Sequence, residues 1–169
     1  MRIDIKSYDK ELMRAAFQQL DETIHIVVIG RIEVPFMLSP QPIKDGVAGW
    51  VKHDRVYMWA VSKQFHRGEH RGTLAHETYH WATARLADAS YGEWKWGGVW
   101  HPEQEALYDK WKDHCSGFYA STKPEEMGAE CFRVLQGCYS GETWEQNQAL
   151  LEDWKRFFLN DGGLAPFFS

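Results

Sequence analysis

Two histidines and a glutamate, His76-Glu77-x-x-His80 in the stretch TLAHETYHWA, carry the clearest chemistry in this chain. Residues four apart on a helix stand one turn above each other, so both imidazoles can reach one ion at about 2.0 to 2.1 Å, the range of zinc–nitrogen bonds. Glu77 is rotated off that face by about a third of a turn. Its carboxylate can therefore reach a water held by the ion without ligating the ion itself. Zinc lowers the pKa of such a water to about 7, and Glu77 can take the proton and later pass it to a leaving amine. His76 and His80 are accordingly read as metal ligands, Zn2+ as the cofactor, and Glu77 as the general base.

Such a site needs a third protein ligand and one position left open for water. Thr83 and Leu86 stand where an HExxHxxGxxH site requires Gly and His. Cys115, Cys131 and Cys138 all lie downstream of the motif, whereas a deformylase-type site takes an upstream cysteine. Asp88 lacks the preceding Gly-Thr of aspartate-ligand sites, and His66, His70 and His101 read as solvated loop histidines. The strongest candidate is Glu126, in FYASTKPEEMGAECF. Glu126 and Glu130 are spaced i and i+4, so both project from one face of a helix opened by Pro124. Two carboxylates buried side by side are costly unless a cation compensates, which zinc would do, leaving Glu130 free to hydrogen-bond a ligand histidine or a nearby backbone group. The alternative, an exposed acidic helix start favoured by the helix dipole, fits these residues about as well.

The elements that must position these side chains follow from periodicity. Leu12, Ala16 and Leu20 predict a first helix over residues 8–21. β-Branched residues predict a buried strand over 24–34 ending at Pro35, then a loop marked by Pro40 and Pro42. Residues 47–61 read as a hairpin with its turn at 52–55. The site helix is expected over 73–88 with Thr73 as N-cap, followed by a Gly- and Trp-rich loop over 88–101 that contains Trp94, Trp96 and Trp100. Further helices are expected from Pro102 to Asp113, from Pro124 to Gln136 with Gly137 as the stop, and over 143–159. Strands followed by helices, with no repeat or long linker, predict one α+β domain over residues 1–169.

Together these residues resemble the gluzincins, most closely the catalytic domain of anthrax lethal factor and its small relatives. That family carries HExxH on one helix, a glutamate ligand in an E-x-x-A-E helix, and a tyrosine seven residues before that glutamate. Here Glu126-Met127-Gly128-Ala129-Glu130 supplies the second element and Tyr119 the third. The resemblance spans residues 46–136, with Met127 and Gly128 replacing an aromatic pair; Gly128 is expected to allow close packing against the HExxH helix. It implies that Glu126 is the third ligand and that the Tyr119 hydroxyl donates to the oxyanion of a tetrahedral intermediate. It also implies a zincin-like fold: a small twisted mixed sheet with an antiparallel edge strand on the HExxH helix, then a mostly helical C-terminal half. The edge strand, from Val47 to Val51, would pair with an extended protein or peptide substrate. The implied function is zinc-dependent endopeptidase; a non-catalytic zinc-containing binding protein on the same scaffold is the alternative.

Composition narrows the remaining classes. The 169 residues suffice for one core, and 15% aromatic content predicts a ring-rich interior. A net charge of -5 with scattered Lys and Arg argues against nucleic acid as a partner. No run of eighteen apolar residues and no basic-then-apolar N-terminus occurs, so neither a membrane span nor a Sec-type signal is expected. Three cysteines without CxxC spacing fit a cytoplasmic protein, or one exported without a cleavable signal. The segment from Met1 to Asp9 and the apolar tail GGLAPFFS are candidate plugs for the cleft of a latent enzyme.

Overall fold

Alternating burial along two β-branched segments sets up the sheet. The computed structural model describes residues 2–6, 24–41, 43–52, 54–59, 70–91 and 101–169, the side chains of 87–91 excepted. A short strand β1 (Arg2–Asp4) runs parallel to β2 (His25–Ile29), which turns back antiparallel into β3 (Ile32–Ser39). The single strand expected over 24–34 is thus a hairpin, turning at Gly30 with φ 61°. Pro35, expected to end the strand, lies inside β3 opposite Ile26. The two-residue connection makes Ile29 and Ile32 a hydrogen-bonded pair, so by alternation Ile26 and Pro35 exchange no bonds. The missing N–H of Pro35 points toward the other side, one residue before the next pairing begins at Phe36. It costs the ladder nothing. The first helix expected over 8–21 lies outside the described residues.

The second hairpin forms as expected, shortened to β4 (Gly49–Lys52) and β5 (Arg55–Trp59). β5 joins β3 in parallel and pairs antiparallel with β4, giving a five-stranded mixed sheet in the order β1-β2-β3-β5-β4. Val51, Val56 and Met58 bury one face of this hairpin, while Trp50 and Tyr57 stack on the other with ring centroids 5.5 Å apart.

Helix α1 (His70–Tyr91) packs on β4 and β5. It begins three residues before Thr73, which is therefore inside the helix and not its N-cap, and it continues into the segment read as loop. Residues 92–100, with Trp94, Trp96 and Trp100, lie outside the described part, as does His66. His70, read as a solvated loop residue, is instead a buried residue at the start of α1. His101 is not a free surface group either: it caps α2 (Pro102–Trp111), accepting from Glu103 N–H at Nδ1, and its ring packs on Phe157.

Helix α3 (Pro124–Leu135) matches expectation and stops at Gly137, which takes φ 82°. Nine of its twelve residues are buried, so its charged side chains must find partners inside the protein. α1, α2 and α4 (Gln148–Leu159) surround it. The last helix, expected over 143–159, is broken: residues Thr143–Gln146 form a 3₁₀ turn, and Asn147 caps α4 by accepting from Leu150 N–H. Phe132, Trp154, Phe157, Phe158 and Phe167 make the ring-rich core. The three cysteines are free and buried. The tail does not plug a cleft; Phe167 is buried, and Pro166 O accepts from Arg31 N–H beside Gly30. Among the described residues, no helix is long and apolar enough to cross a membrane.

α1 and α3 meet where Gly128 faces Tyr79; a Cβ on residue 128 would fall 2.3 Å from the tyrosine oxygen and 2.6 Å from Cζ. Gly128→Ala should therefore lower stability by about 1 to 3 kcal/mol through overpacking, despite the better helix propensity of Ala. Urea denaturation would measure this, and adding Tyr79→Phe should recover part of the loss.

Candidate metal centre

One face of α1 presents His76 and His80, and the facing side of α3 presents Glu126 and Glu130. Nε2 of His76 lies 3.1 Å from Nε2 of His80, and Glu126 Oε2 lies 3.0 Å from the first and 3.3 Å from the second. An ion bonded at about 2.0 Å with tetrahedral angles separates its donors by about 3.3 Å. The donor set thus fits a divalent cation of the zinc type in both chemistry and spacing. His76, His80 and Glu126 are the three donors that would hold it. The residues predicted as ligands are brought together.

Glu130 takes the position expected for it. Its Oε1 lies 2.8 Å from His76 Nδ1, so that nitrogen donates to the carboxylate while Nε2 faces the donor cluster. Burial works against charge on Glu130, but hydrogen bonds from His76 and Arg133 outweigh it and bring the carboxyl down to about 2. Burial likewise opposes ionisation of Glu126, and hydrogen bonds from both histidines hold it well below the usual carboxylate range. Burial disfavours the imidazolium of His76, yet Glu126 and Glu130 on its two nitrogens raise it to about 10.

Glu77 stands beside this cluster and lines a cleft of about 890 Å³. Burial raises its pKa, as suits a proton acceptor, with the neighbouring histidines acting in the opposite sense. Gly49 makes room for it: a Cβ on that residue would fall 2.7 Å from Glu77 Cγ and 3.0 Å from Thr73 Cγ2. α1 lines the cleft through Arg71, Gly72, Thr73, His76 and Glu77, and residues 44–49, 137–140 and Glu142 complete its walls. Tyr119 lines the same cleft beside His76, 54% exposed, its ring centroid 5.9 Å from that of His76. Burial of its oxygen and the nearby Glu126 carboxylate, which accepts its hydroxyl hydrogen, raise its pKa, so Tyr119 is a neutral donor at physiological pH.

β4 borders the cleft as the sheet's edge, where the strand from Val47 to Val51 was expected. Trp59 N–H donates to Ala48 O at 2.8 Å, so the alternation of an antiparallel pair turns the peptide groups of Trp50 and Lys52 toward β5 and those of Gly49 and Val51 outward. Among the described residues, no strand pairs with that outer side.

Sequence reasoning missed three participants. Gly49 carried a signal, since glycine inside a strand marks close approach by another group. Arg133 stands three residues after Glu130, a spacing that pairs charges on a helix. Glu145, which binds Arg133 at 2.8 Å, lies in a separate turn and had no local signal. No family model, curated protein or solved structure matches the chain.

In the metal-free protein, His76 holds a proton at neutral pH that a metal ion must displace. Zinc binding near pH 7.5 should therefore release about one proton per ion, measurable by calorimetry in buffers of different ionisation enthalpy. Because the folded pKa of His76 is raised from 6.5 to about 10, the protonated ring's stabilisation is complete below pH 6.5 and is lost as pH rises toward 10. The urea midpoint of chelator-treated protein should fall across that window.

Proposed function

We propose that the protein is a zinc-dependent endopeptidase of the gluzincin type, hydrolysing a peptide bond in an extended protein or peptide substrate. The observation that carries this reading is the convergence of His76, His80 and Glu126 at ion-binding distances, with Glu77 and Tyr119 on the same cleft. Among the described residues three donors gather, not four, which favours a catalytic ion with a position left for water over a purely structural one.

Bound at this site, zinc would act as a Lewis acid and make water nucleophilic near neutral pH. The chain's own residues supply the rest. Glu77, seated against Gly49, takes a proton from the attacking water and delivers it to the departing amine nitrogen. Tyr119, neutral and exposed on the cleft, donates its hydroxyl hydrogen to the carbonyl oxygen as negative charge develops there. Glu130 fixes the ring of His76 through Nδ1. The outward peptide groups of Gly49 and Val51 offer N–H and C=O to a substrate strand, so main-chain bonding would hold the scissile bond beside Glu77.

Chelation should abolish hydrolysis of an unstructured protein substrate and zinc should restore it. Glu77→Gln should lower the rate about 10²- to 10⁴-fold while about one zinc per chain stays bound. Tyr119→Phe should cost about 10²-fold in kcat, the scale of a lost oxyanion donor, with zinc content unaltered. Gly49→Ala should reduce kcat by displacing Glu77 without loss of metal. Hydrolysis that persists at the wild-type rate in metal-depleted protein or in Glu77→Gln would refute the reading.

A further inference from the structure

The metal ligands are joined to one wall of the cleft by a chain of buried charges. Arg133 is 6% exposed and lies between the two. Its Nη2 donates to Glu130 Oε2 at 2.7 Å and to Glu145 Oε1 at 2.8 Å, its Nε to Glu130 Oε1 at 3.3 Å, and its Nη1 to Cys138 O at 2.5 Å. Glu145 then accepts from Ser140 Oγ at 2.6 Å, from Ser140 N–H at 3.1 and 3.2 Å, and from Gly141 N–H at 3.1 Å. Residues 137–140 line the cleft, and Tyr139 among them is 68% exposed.

We propose that Arg133 is a positioning residue that couples metal ligation at His76 to the cleft wall formed by residues 138–141. This rests on the metal reading above. With Nε2 of His76 committed to an ion, Nδ1 carries the ring's one N–H, and the position of Glu130 sets the orientation of the ligand. Glu130 is in turn held at both oxygens by the guanidinium that binds Glu145 and the Cys138 carbonyl. A shift of the wall therefore moves the carboxylate that orients the ligand, and ordering of the ligand orders the wall; in free-energy terms the coupling is reciprocal. Only a planar, multiply donating side chain spans these acceptors at once. Lysine keeps the charge but loses the fork.

The test uses the full chain with zinc and cobalt ions as probes, comparing wild type, Arg133→Lys and Glu145→Gln after a cooperative unfolding transition has shown each to be folded. Zinc affinity is read by competition with a chromophoric chelator, ligand geometry by the visible bands of the cobalt form, and the wall by hydrogen exchange at the amides of Ser140 and Gly141. In wild type, zinc should slow exchange at both amides. Arg133→Lys should bind zinc about 10- to 100-fold more weakly, shift the cobalt bands, and lose the zinc-dependent protection. Glu145→Gln should lose that protection while keeping nearly the wild-type zinc affinity. If Arg133→Lys fails to fold, Glu145→Gln decides alone: protection that survives in it overturns the coupling. An Arg133→Lys protein that matches wild type in affinity, cobalt spectrum and exchange overturns the coupling and leaves the metal centre standing. A wild type that binds no zinc overturns both.

Discussion

The spacing of α1 from α3 governs everything in the candidate metal centre, because two donors come from one helix and one from the other. That spacing is set where the Tyr79 ring meets Gly128, a position at which any side chain would overlap the ring. Behind this contact, Phe132 and Phe158 pack on Tyr79 with ring centroids 5.8 and 5.6 Å away, so the ring cannot retreat. Tight packing of this kind transmits small volume changes as helix displacement. Donors that must agree to a few tenths of an ångström are thus held by a contact made one residue before His80.

Charge imposes the second constraint. Glu126, Glu130 and Glu145 crowd the same side of α3 and the turn after it, while Arg133 is the permanent cation among them. Burying carboxylates is unfavourable unless each is paired and hydrogen-bonded. Arg133 satisfies Glu130 and Glu145, which leaves Glu126 facing the two histidines and the neutral Tyr119 hydroxyl. A proton on His76 or a divalent cation can supply the missing charge.

Much of this was legible in the chain because it depends on local spacing. The pair His76 and His80 and the pair Glu126 and Glu130 are both i,i+4, and the second helix announced its ends through Pro124 and Gly137. The sheet was harder to read. The turn at Gly30 lies inside a continuous β-branched run, and Pro35 looked like a terminator because only the register reveals that its missing N–H is not needed. β1 is three residues long, too short for any period to show. Thr73 was misplaced as a cap because Gly72 beside it reads as a helix break, whereas α1 starts at His70 and runs through that glycine. Glu145 was invisible for a different reason: its partner is twelve residues away across a turn whose shape depends on Gly137 and Gly141, both at positive φ.

Strand β4 links the sheet to the chemistry proposed for the helices. Gly49 lies on the face of the strand that meets α1, where its missing side chain admits Glu77, while its peptide groups point to the open edge. A polypeptide bound there would be placed by main-chain bonds to the same residue that seats Glu77, the proposed general base. Its register along the strand would then determine which peptide bond stands beside Glu77, independently of side-chain identity. In that proposed complex the wall across the cleft, which Tyr139 and its neighbours line and Arg133 ties to Glu130, is the other surface the polypeptide would meet.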